Sequence, residues 1–595
     1  MIEAAQIRNF CIIAHVDHGK STLADRFLEL GGLKQRILYE QVLDSNPIER
    51  ERGITIKLAP ICLEYQLPGN HRQIFNLIDT PGHVDFSYEV SRALAACEGA
   101  ILLVDATQGV QAQTLAHAQV ATNLGLTLIP VINKIDLDYA NVNQTVRQLV
   151  EFFGFRESEI LNVSAKTGEG VEKLAQEVIA RIPPPKAIEQ KELRCLVFNS
   201  VYDAHQGAVA WIRVVDGSIA RGDIVKLAMT DVQSKVEELG IFKLNRQPVP
   251  ILTAGQVGYV VLGLKDARLV KIGDTLTGMA GDIEPLPGYQ TPRPVVYLGL
   301  YPASGDDPQR LRDALEKLAL SDSSLIFSPE YSSVLGQGFR CGFLGLLHAD
   351  ITQERLEREF KVETFATTPS VSFAVIFKDG HKEEIVSATK FPKPEVVEEV
   401  LEPIMKLTIL CPAISLGAVM TLAQEKRGTL IDQTYVEIQV KLIYEIPLSE
   451  IIVDFSDRLK SVSSGYATMD YEFLEMRSVE VAKLEVIVAG EKIEPLAQLV
   501  VKERLEQTGR RVVDKVKEVI PRHAFEIAIQ AVVGGKVLAR SDVKAFRKDV
   551  IAKLSGGDQT RKTKLLERQK KGKQRMKQFG RITLPQEVFV DLLRS

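Results

Sequence analysis

The chain has 595 residues, 45% hydrophobic and 25% charged, with a net charge of −4. At about 150 residues per domain that length holds about four domains, and the composition excludes a disordered, collagen-like or low-complexity chain. No apolar run approaches the roughly 18 residues that span a bilayer, and the N-terminus lacks a basic leader followed by an apolar stretch. Cys11, Cys62, Cys97, Cys195, Cys341 and Cys411 stand too far apart to hold zinc or to suggest a disulfide framework. A reduced, cytosolic protein with no zinc and no transmembrane segment is expected.

The apolar runs 7–14, 74–78, 100–105 and 127–132 are continuous, the pattern of strands buried on both faces of a parallel sheet. Helical periodicity over 21–30, 84–96 and 111–123 alternates with them, so residues 1–185 are expected to form a doubly wound α/β domain. Pro183, Pro184 and Pro185 end it. From 191 to 281, apolar segments are separated by turn pairs such as Asp216-Gly217 and Gly273-Asp274, which predicts a β-barrel over 190–283. A Pro- and Gly-rich stretch over 285–294 follows. Two α+β units come next, over 291–378 and 400–481, with Pro392-Lys393-Pro394 between them. In the first a strand at 295–300 leads into a helix at 308–320. In the second a strand at 406–410, a helix at 416–428, strands within 435–444, a helix at 448–464 and a strand at 466–474 succeed one another. Both read as split βαβ, ferredoxin-like modules. Residues 482–595 form a separate unit.

Three loops carry the chemistry. Ala14-His15-Val16-Asp17-His18-Gly19-Lys20-Ser21-Thr22 lies between a predicted strand and a predicted helix. It departs from the P-loop pattern G-x-x-x-x-G-K-[ST] at Ala14 alone. Gly19 lets consecutive N–H groups, from Asp17 and His18 onward, face a phosphate at the helix N-terminus. Lys20 would reach the β- and γ-phosphates, Ser21 would ligate Mg²⁺, and Thr22 would meet the α-phosphate. Asp79-Thr80-Pro81-Gly82-His83 ends the second strand, where Asp79 can hold the water shell of the metal and Gly82 N–H can reach a γ-phosphate. Asn133-Lys134-Ile135-Asp136 ends the fourth. The Asp136 carboxylate can accept from both N1–H and the 2-amino group of guanine, which adenine cannot match. Asn133 can tie this loop to the P-loop, and the Lys134 stem can lie along the base. The backbone of Ser164-Ala165-Lys166 can meet guanine O6. In this order, at strand ends of one sheet, the three loops predict GTP binding.

These motifs, with Arg52-Gly53-Ile54-Thr55-Ile56, resemble the translational GTPases, in which the Ala14 departure is usual. The segment 338–348 (Gly-Phe-Arg-Cys-Gly-Phe-Leu-Gly-Leu-Leu-His), Glu354 to Phe360, Ile520-Pro521-Arg522, Gly556-Gly557-Asp558 and Pro585-Gln586-Glu587 resemble the LepA (elongation factor 4) family. The resemblance covers essentially the whole chain. It implies that Thr55 is a switch threonine ligating Mg²⁺ in the GTP state, that residues 50–56 are ordered by the γ-phosphate and released on hydrolysis, and that His83 orients the attacking water. Elongation factor G carries an extra domain between its ferredoxin-like modules. Here about 30 residues lie between them, too few for one. A family-specific C-terminal domain is expected instead.

That end of the chain is basic. Between Lys536 and Arg581 stand 16 Lys or Arg against four acidic residues, a segment of +12 on a body of −16. Lys544, Arg547 and Lys548 follow a helical pattern, and Arg561, Lys562 and Lys564 lie in a nearly acid-free run. With few aromatics nearby, contact with an RNA backbone is expected rather than base stacking. The same cations could hold an anionic surface, such as the cytoplasmic face of a bacterial inner membrane.

The resemblance implies a monomeric, ribosome-stimulated GTPase that contacts the rRNA of both subunits and, through its C-terminal unit, P-site tRNA. In the family's mechanism the GTP form moves the tRNAs back by one codon. The alternative is an assembly or stress factor for which GTP is a timer and no tRNA moves. A forward translocase like elongation factor G lacks support because its extra domain is missing.

Overall fold

The computed structural model describes residues 3–33, 43, 46–67, 71–186, 192–203, 205–264, 266, 269–279, 283–287, 293–303, 307–332, 335–522, 525–546, 559–560, 562–564 and 566–569. Arg547, Lys548 and Arg561 lie outside the described residues.

The first unit is a six-stranded sheet in the order β2-β3-β1-β4-β5-β6. Its strands are β1 (Ile7–Ala14), β2 (Ala59–Leu67), β3 (His71–Asp79), β4 (Gly99–Asp105), β5 (Thr127–Asn133) and β6 (Leu161–Asn162). The helices are α1 (Lys20–Leu28), α2 (Pro47–Arg52), α3 (Ser87–Ala95), α4 (Ala112–Asn123), α5 (Val142–Phe153) and α6 (Val171–Arg181). Strands β1 and β4 are buried at every position because helices cover both faces of the sheet. The sheet departs from the all-parallel expectation at one edge. β2 pairs antiparallel with β3, Ala59 opposite Asp79. A hairpin there brings the segment that precedes β2 back to the C-terminal end of β3, beside the loop between β1 and α1.

Ten strands, β7 to β16, fall between Arg194 and Gly278 among the described residues. Eight of them form one sheet around the long pair β7 (Arg194–Asp203) and β8 (Gly207–Asp216), and it closes over an apolar core of Val197, Ile212, Leu239, Leu252 and Leu276. The third unit runs β17 (Val296–Pro302), α7 (Pro308–Ser321), β18 (Ile326–Ser332), β19 (Gly336–Phe343), α8 (Leu346–Phe360) and β20 (Thr364–Ala366). Its sheet order, β18-β19-β17-β20, is that of a ferredoxin-like split βαβ fold.

The fourth unit repeats that order. It comprises β21 (Phe373–Phe377), β22 (Lys382–Ile385), β23 (Val397–Pro412), α9 (Leu416–Glu425), β24 (Thr429–Val436), β25 (Gln439–Pro447), α10 (Leu448–Ile451), α11 (Phe455–Val462) and β26 (Thr468–Ser478). Strand β26 pairs with β23, which pairs with β25, which pairs with β24. Phe373–Phe377, read from sequence as the end of the third unit, instead pairs with the start of β23, Ala374 opposite Leu401. Phe373 and Val375 bury with Met405 and Leu407 in the core of the fourth unit.

The last unit comprises β27 (Val481–Val488), β28 (Glu491–Lys492), β29 (Gln498–Val501), α12 (Leu505–Val519), β30 (Ile527–Val533) and β31 (Lys536–Val543). α12 buries Val513 and Val516 against the sheet. Lys544 does not begin a helix. It is exposed, directly after β31 and in no regular element, while Lys562 and Lys564 are helical. Among the described residues no helix is long and apolar enough to cross a membrane.

Candidate functional site

The loop between β1 and α1 enters α1 through Gly19 at φ +91°, a left-handed conformation. A Cβ there would stand 2.4 Å from Asn133 Nδ2, so glycine is required for contact as well as for backbone conformation. Asp17 is also left-handed, at φ +64°. Together these turns curl the loop so that its amides lie at the N-terminus of α1, a ready anion cradle.

Lys20 Nζ lies 2.9 Å from Asp79 Oδ1 and donates to Thr55 Oγ1 at 2.9 Å. Ser21 Oγ is 3.2 Å from Thr55 Oγ1. Asp79 Oδ1 also accepts from Thr80 N at 3.0 Å, whereas Asp79 Oδ2 is buried and has no partner. Thr55 follows α2, which the Asn46 side chain and Pro47 start and left-handed Gly53 ends. The buried Glu49 carboxylate accepts from Ile56 N at 2.9 Å and Lys57 N at 3.1 Å, which pins Thr55 over the loop. Thr22 lies half-buried one residue further along α1, and Gly82 is buried beside the loop, where a Cβ would come 3.3 Å from Val16 N.

The loop at Asn133–Asp136 is joined to the loop between β1 and α1 by side-chain hydrogen bonds. Asn133 Nδ2 donates to His18 O at 2.9 Å, and Asn133 Oδ1 accepts from Ala165 N at 2.9 Å. Lys134 Nζ donates to Asp17 O at 2.6 Å and pairs with Asp105 at 2.7 Å. Ser164 Oγ donates to Asp136 Oδ1 at 2.7 Å and leaves the rest of that exposed carboxylate facing outward. The Lys166 and Ala165 carbonyls accept from Arg26. The His18 side chain points inward, with Nδ1 3.4 Å from Leu103 O and 3.3 Å from Asp105 N. Only its backbone faces the loop interior, and burial pushes the ring pKa down to about 3. Burial likewise brings neighbouring His15 and His117 to about 4.

His83 caps the short turn before α3, its Nδ1 accepting from Asp85 N at 3.2 Å. That bond places the ring proton on Nε2, so the outer nitrogen is a donor. Burial and the Lys460 ammonium outweigh the Asp85 carboxylate and hold the imidazole below its ordinary pKa, hence neutral at pH 7. Asp85 in turn accepts at Oδ2 from Leu347 N at 2.9 Å and His348 N at 3.3 Å, amides of the first turn of α8. Gly345 allows this approach, since a Cβ would lie 2.1 Å from the Asp85 carboxyl carbon. Arg52 of α2 donates to Glu354 of α8 at 2.7 Å, and Arg358 of α8 pairs with Glu51 at 2.7 Å. Sequence reading missed this junction, which joins residues 262 positions apart. Its only local trace is an acidic residue just after His83.

An ammonium (Lys20), two hydroxyls (Ser21, Thr55), a carboxylate with an unpartnered oxygen (Asp79) and the Asn133–Asp136 and Ser164–Lys166 loops therefore gather at the C-terminal ends of the strands of one sheet. Chemically the cluster can neutralise a polyphosphate and hold a divalent ion.

Comparison with known proteins agrees with this geometry. Residues 5–184 match the elongation factor Tu GTP-binding domain, 207–277 elongation factor Tu domain 2, 399–487 the elongation factor G C-terminus, and 488–594 the C-terminus of the GTP-binding protein LepA. Elongation factor 4 of Rubrobacter xylanophilus is 50% identical over all of this chain and 98% of its own length. A crystal structure of a Thermus thermophilus protein shares the fold, with a TM-score of 0.56 at 20% identity over 80% of this chain and 97% of that one. The chain is thus a GTP-hydrolysing member of the elongation factor 4 (LepA) family of translational GTPases.

Proposed function

We propose that this GTPase binds the ribosome in its GTP form, returns the tRNAs by one codon and leaves on hydrolysis. The observation that carries the reading is that both phosphate-sensing segments are fastened to the third unit. Arg52 of the Thr55 segment and Asp85 of the His83 segment meet the same helix, α8. Release of either segment on loss of the γ-phosphate frees a whole module, a small local change with a large readout.

The amides of Asp17, His18 and Gly19, with Lys20, Ser21 and Thr22, hold the phosphates. Gly82 N–H senses the last of them. Asn133, Lys134, Asp136, Ser164, Ala165 and Lys166 hold and select guanine. Ser21 and Thr55 would ligate Mg²⁺, and Asp79 would hold it through water. The Ser21 and Thr55 hydroxyls, 3.2 Å apart, are close enough to serve one divalent ion together, and the unpartnered Asp79 Oδ2 would suit a water that it carries. When bound, the ion neutralises charge on the β- and γ-phosphates. Neutral His83 offers Nε2–H to the attacking water. It orients the water and does not remove its proton, because Nδ1 is already engaged by Asp85 N.

The protein acts as a cytoplasmic monomer on rRNA of both subunits, with the C-terminal unit near P-site tRNA. Lys544, Lys562 and Lys564, with Arg547, Lys548 and Arg561, supply phosphate contacts, and the same charge supports peripheral binding to an anionic membrane face. Toeprinting tests the reading. Adding the factor with GTP to post-translocation ribosomes should shift the toeprint one codon upstream. Full GTP turnover with no shift refutes tRNA movement and leaves GTP as a timer for binding.

A further inference from the structure

α4 begins at Ala112, directly after Gln111, and presents Gln113, only 5% exposed, to the underside of the phosphate site. The hydrogen-bonding partners around it fix how its amide is turned. Turned so that its nitrogen faces the acceptors and its oxygen the donor, the amide donates to His15 Nδ1 at 2.5 Å and to Gly82 O at 2.7 Å, and accepts from Val84 N at 3.2 Å. Gly82 and Val84 are the residues on either side of His83. One side chain therefore holds the peptide both before and after the histidine and anchors it to the phosphate loop through His15. Burial keeps His15 neutral, and in the tautomer with its proton on Nε2 the Nδ1 accepts this bond.

The turn that carries Gln113 is itself fixed. Thr468 Oγ1, at the start of β26, donates to Gln111 Oε1 at 2.8 Å and accepts from Ala112 N at 3.0 Å. Gln111 also donates to Gln108 O at 3.0 Å. The clamp thus has one end in the fourth unit and the other at the phosphate loop.

We propose that Gln113 is a positioning residue for GTP hydrolysis: its amide clamps the main chain on both sides of His83 and so aims the Nε2–H of that ring at the attacking water. This rests on the reading that His83 orients the water. Gln113 touches neither nucleotide nor water and acts only through the segment 82–84. A side-chain amide is suited to the task because it supplies a donor and an acceptor in one plane. Asparagine is one methylene shorter, and glutamate would turn an oxygen toward the Gly82 carbonyl in place of a donor.

The test is single-turnover GTP hydrolysis on saturating ribosomes, with the affinity for a fluorescent GDP measured on the same full-length samples. Gln113→Ala and Gln113→Glu should each slow hydrolysis about 10- to 100-fold, the range expected for a displacement of about 1 Å in a catalytic group. GDP affinity should change less than threefold, which also reports that the variants are folded. In the His83→Ala background, Gln113→Ala should slow hydrolysis no further, because there is no ring left to aim. Wild-type hydrolysis by His83→Ala would overturn the reading of His83, and the clamp with it. Slow His83→Ala beside fast Gln113→Ala and Gln113→Glu would overturn the clamp alone. Multiplying effects in the double variant would also overturn it, since Gln113 would then act by another route.

Discussion

Lys20→Met tests how the phosphate site stores its charge. Lys20 and Asp79 form a buried ion pair at 2.9 Å, their side chains 7% and 0% exposed. Methionine keeps the length and removes the ammonium, which leaves the Asp79 carboxylate buried without its cation. Breaking such a pair from one side costs about 3–5 kcal/mol. Asp79→Asn should cost a comparable amount by stranding the ammonium. Joining the two substitutions removes both charges, so only the Lys20 bond to Thr55 stays lost, at about 1–2 kcal/mol. The pair should therefore show strong coupling, with the double variant more stable than either single one. Hydrogen exchange at amides of β1 and β3 reads the opening of this unit alone, separate from the other four modules. At about 1.4 kcal/mol per factor of ten, each single variant should exchange about 100- to 3000-fold faster than the parent, and the double variant about 5- to 30-fold faster. A single-variant cost below about 1 kcal/mol, or strict additivity, would refute the argument. Nucleotide binding supplies an independent check, since every variant lacking Lys20 should lose GTP whatever its stability.

Stability should fall on acidification. His15, His18 and His117 have native pKa values pushed down to about 4, 3 and 4 by burial from 6.5, so the unfolded chain binds the extra protons. Their contribution is full above pH 6.5 and is lost as the pH falls toward 4, at up to about 1.4 kcal/mol per pH unit for each ring. A Tm for the first unit that is flat between pH 7 and 5 would contradict this. Gly345→Ala should separate α8 from Asp85, because the added methyl meets the carboxyl at 2.1 Å. Nucleotide affinity should hold within threefold while protease sensitivity between units rises, and unchanged protection by a GTP analogue would count against the junction. Lys562→Gln with Lys564→Gln should reduce the slope of log affinity for RNA against log salt by about 1–2, whereas an unchanged slope would remove both residues from the interface.

The GTP-binding domain was legible because the loops at its strand ends answer to local chemistry. A left-handed backbone at residue 19 demands glycine, a polyphosphate demands an ammonium close behind it, and a donor pair on guanine demands a carboxylate. Such requirements are met within a few residues, so they leave a spacing that can be read along the chain. The ferredoxin-like rhythm was legible for the same reason, since each strand and helix carries its own period. The α/β sheet was read as parallel, and the structure adds one antiparallel edge strand. Continuous apolar runs mark β1, β4 and β5, but β2 is an edge strand whose antiparallel direction is set by pairing with β3.

What tertiary structure alone decided are the contacts between distant segments. Thr468 lies on Gln111 across 357 positions, Asp85 caps α8, and Phe373–Phe377 joins β23 when its composition suits either neighbour. Lys544 leaves the helical pattern of its sequence because β31 continues to Val543 beside β30. Sequence by itself determined the kinds of elements and the chemistry that each loop can perform, because both arise from backbone conformation and side-chain type within a few residues. Which loop is clamped, and by which module, depends on packing between surfaces that no local period encodes.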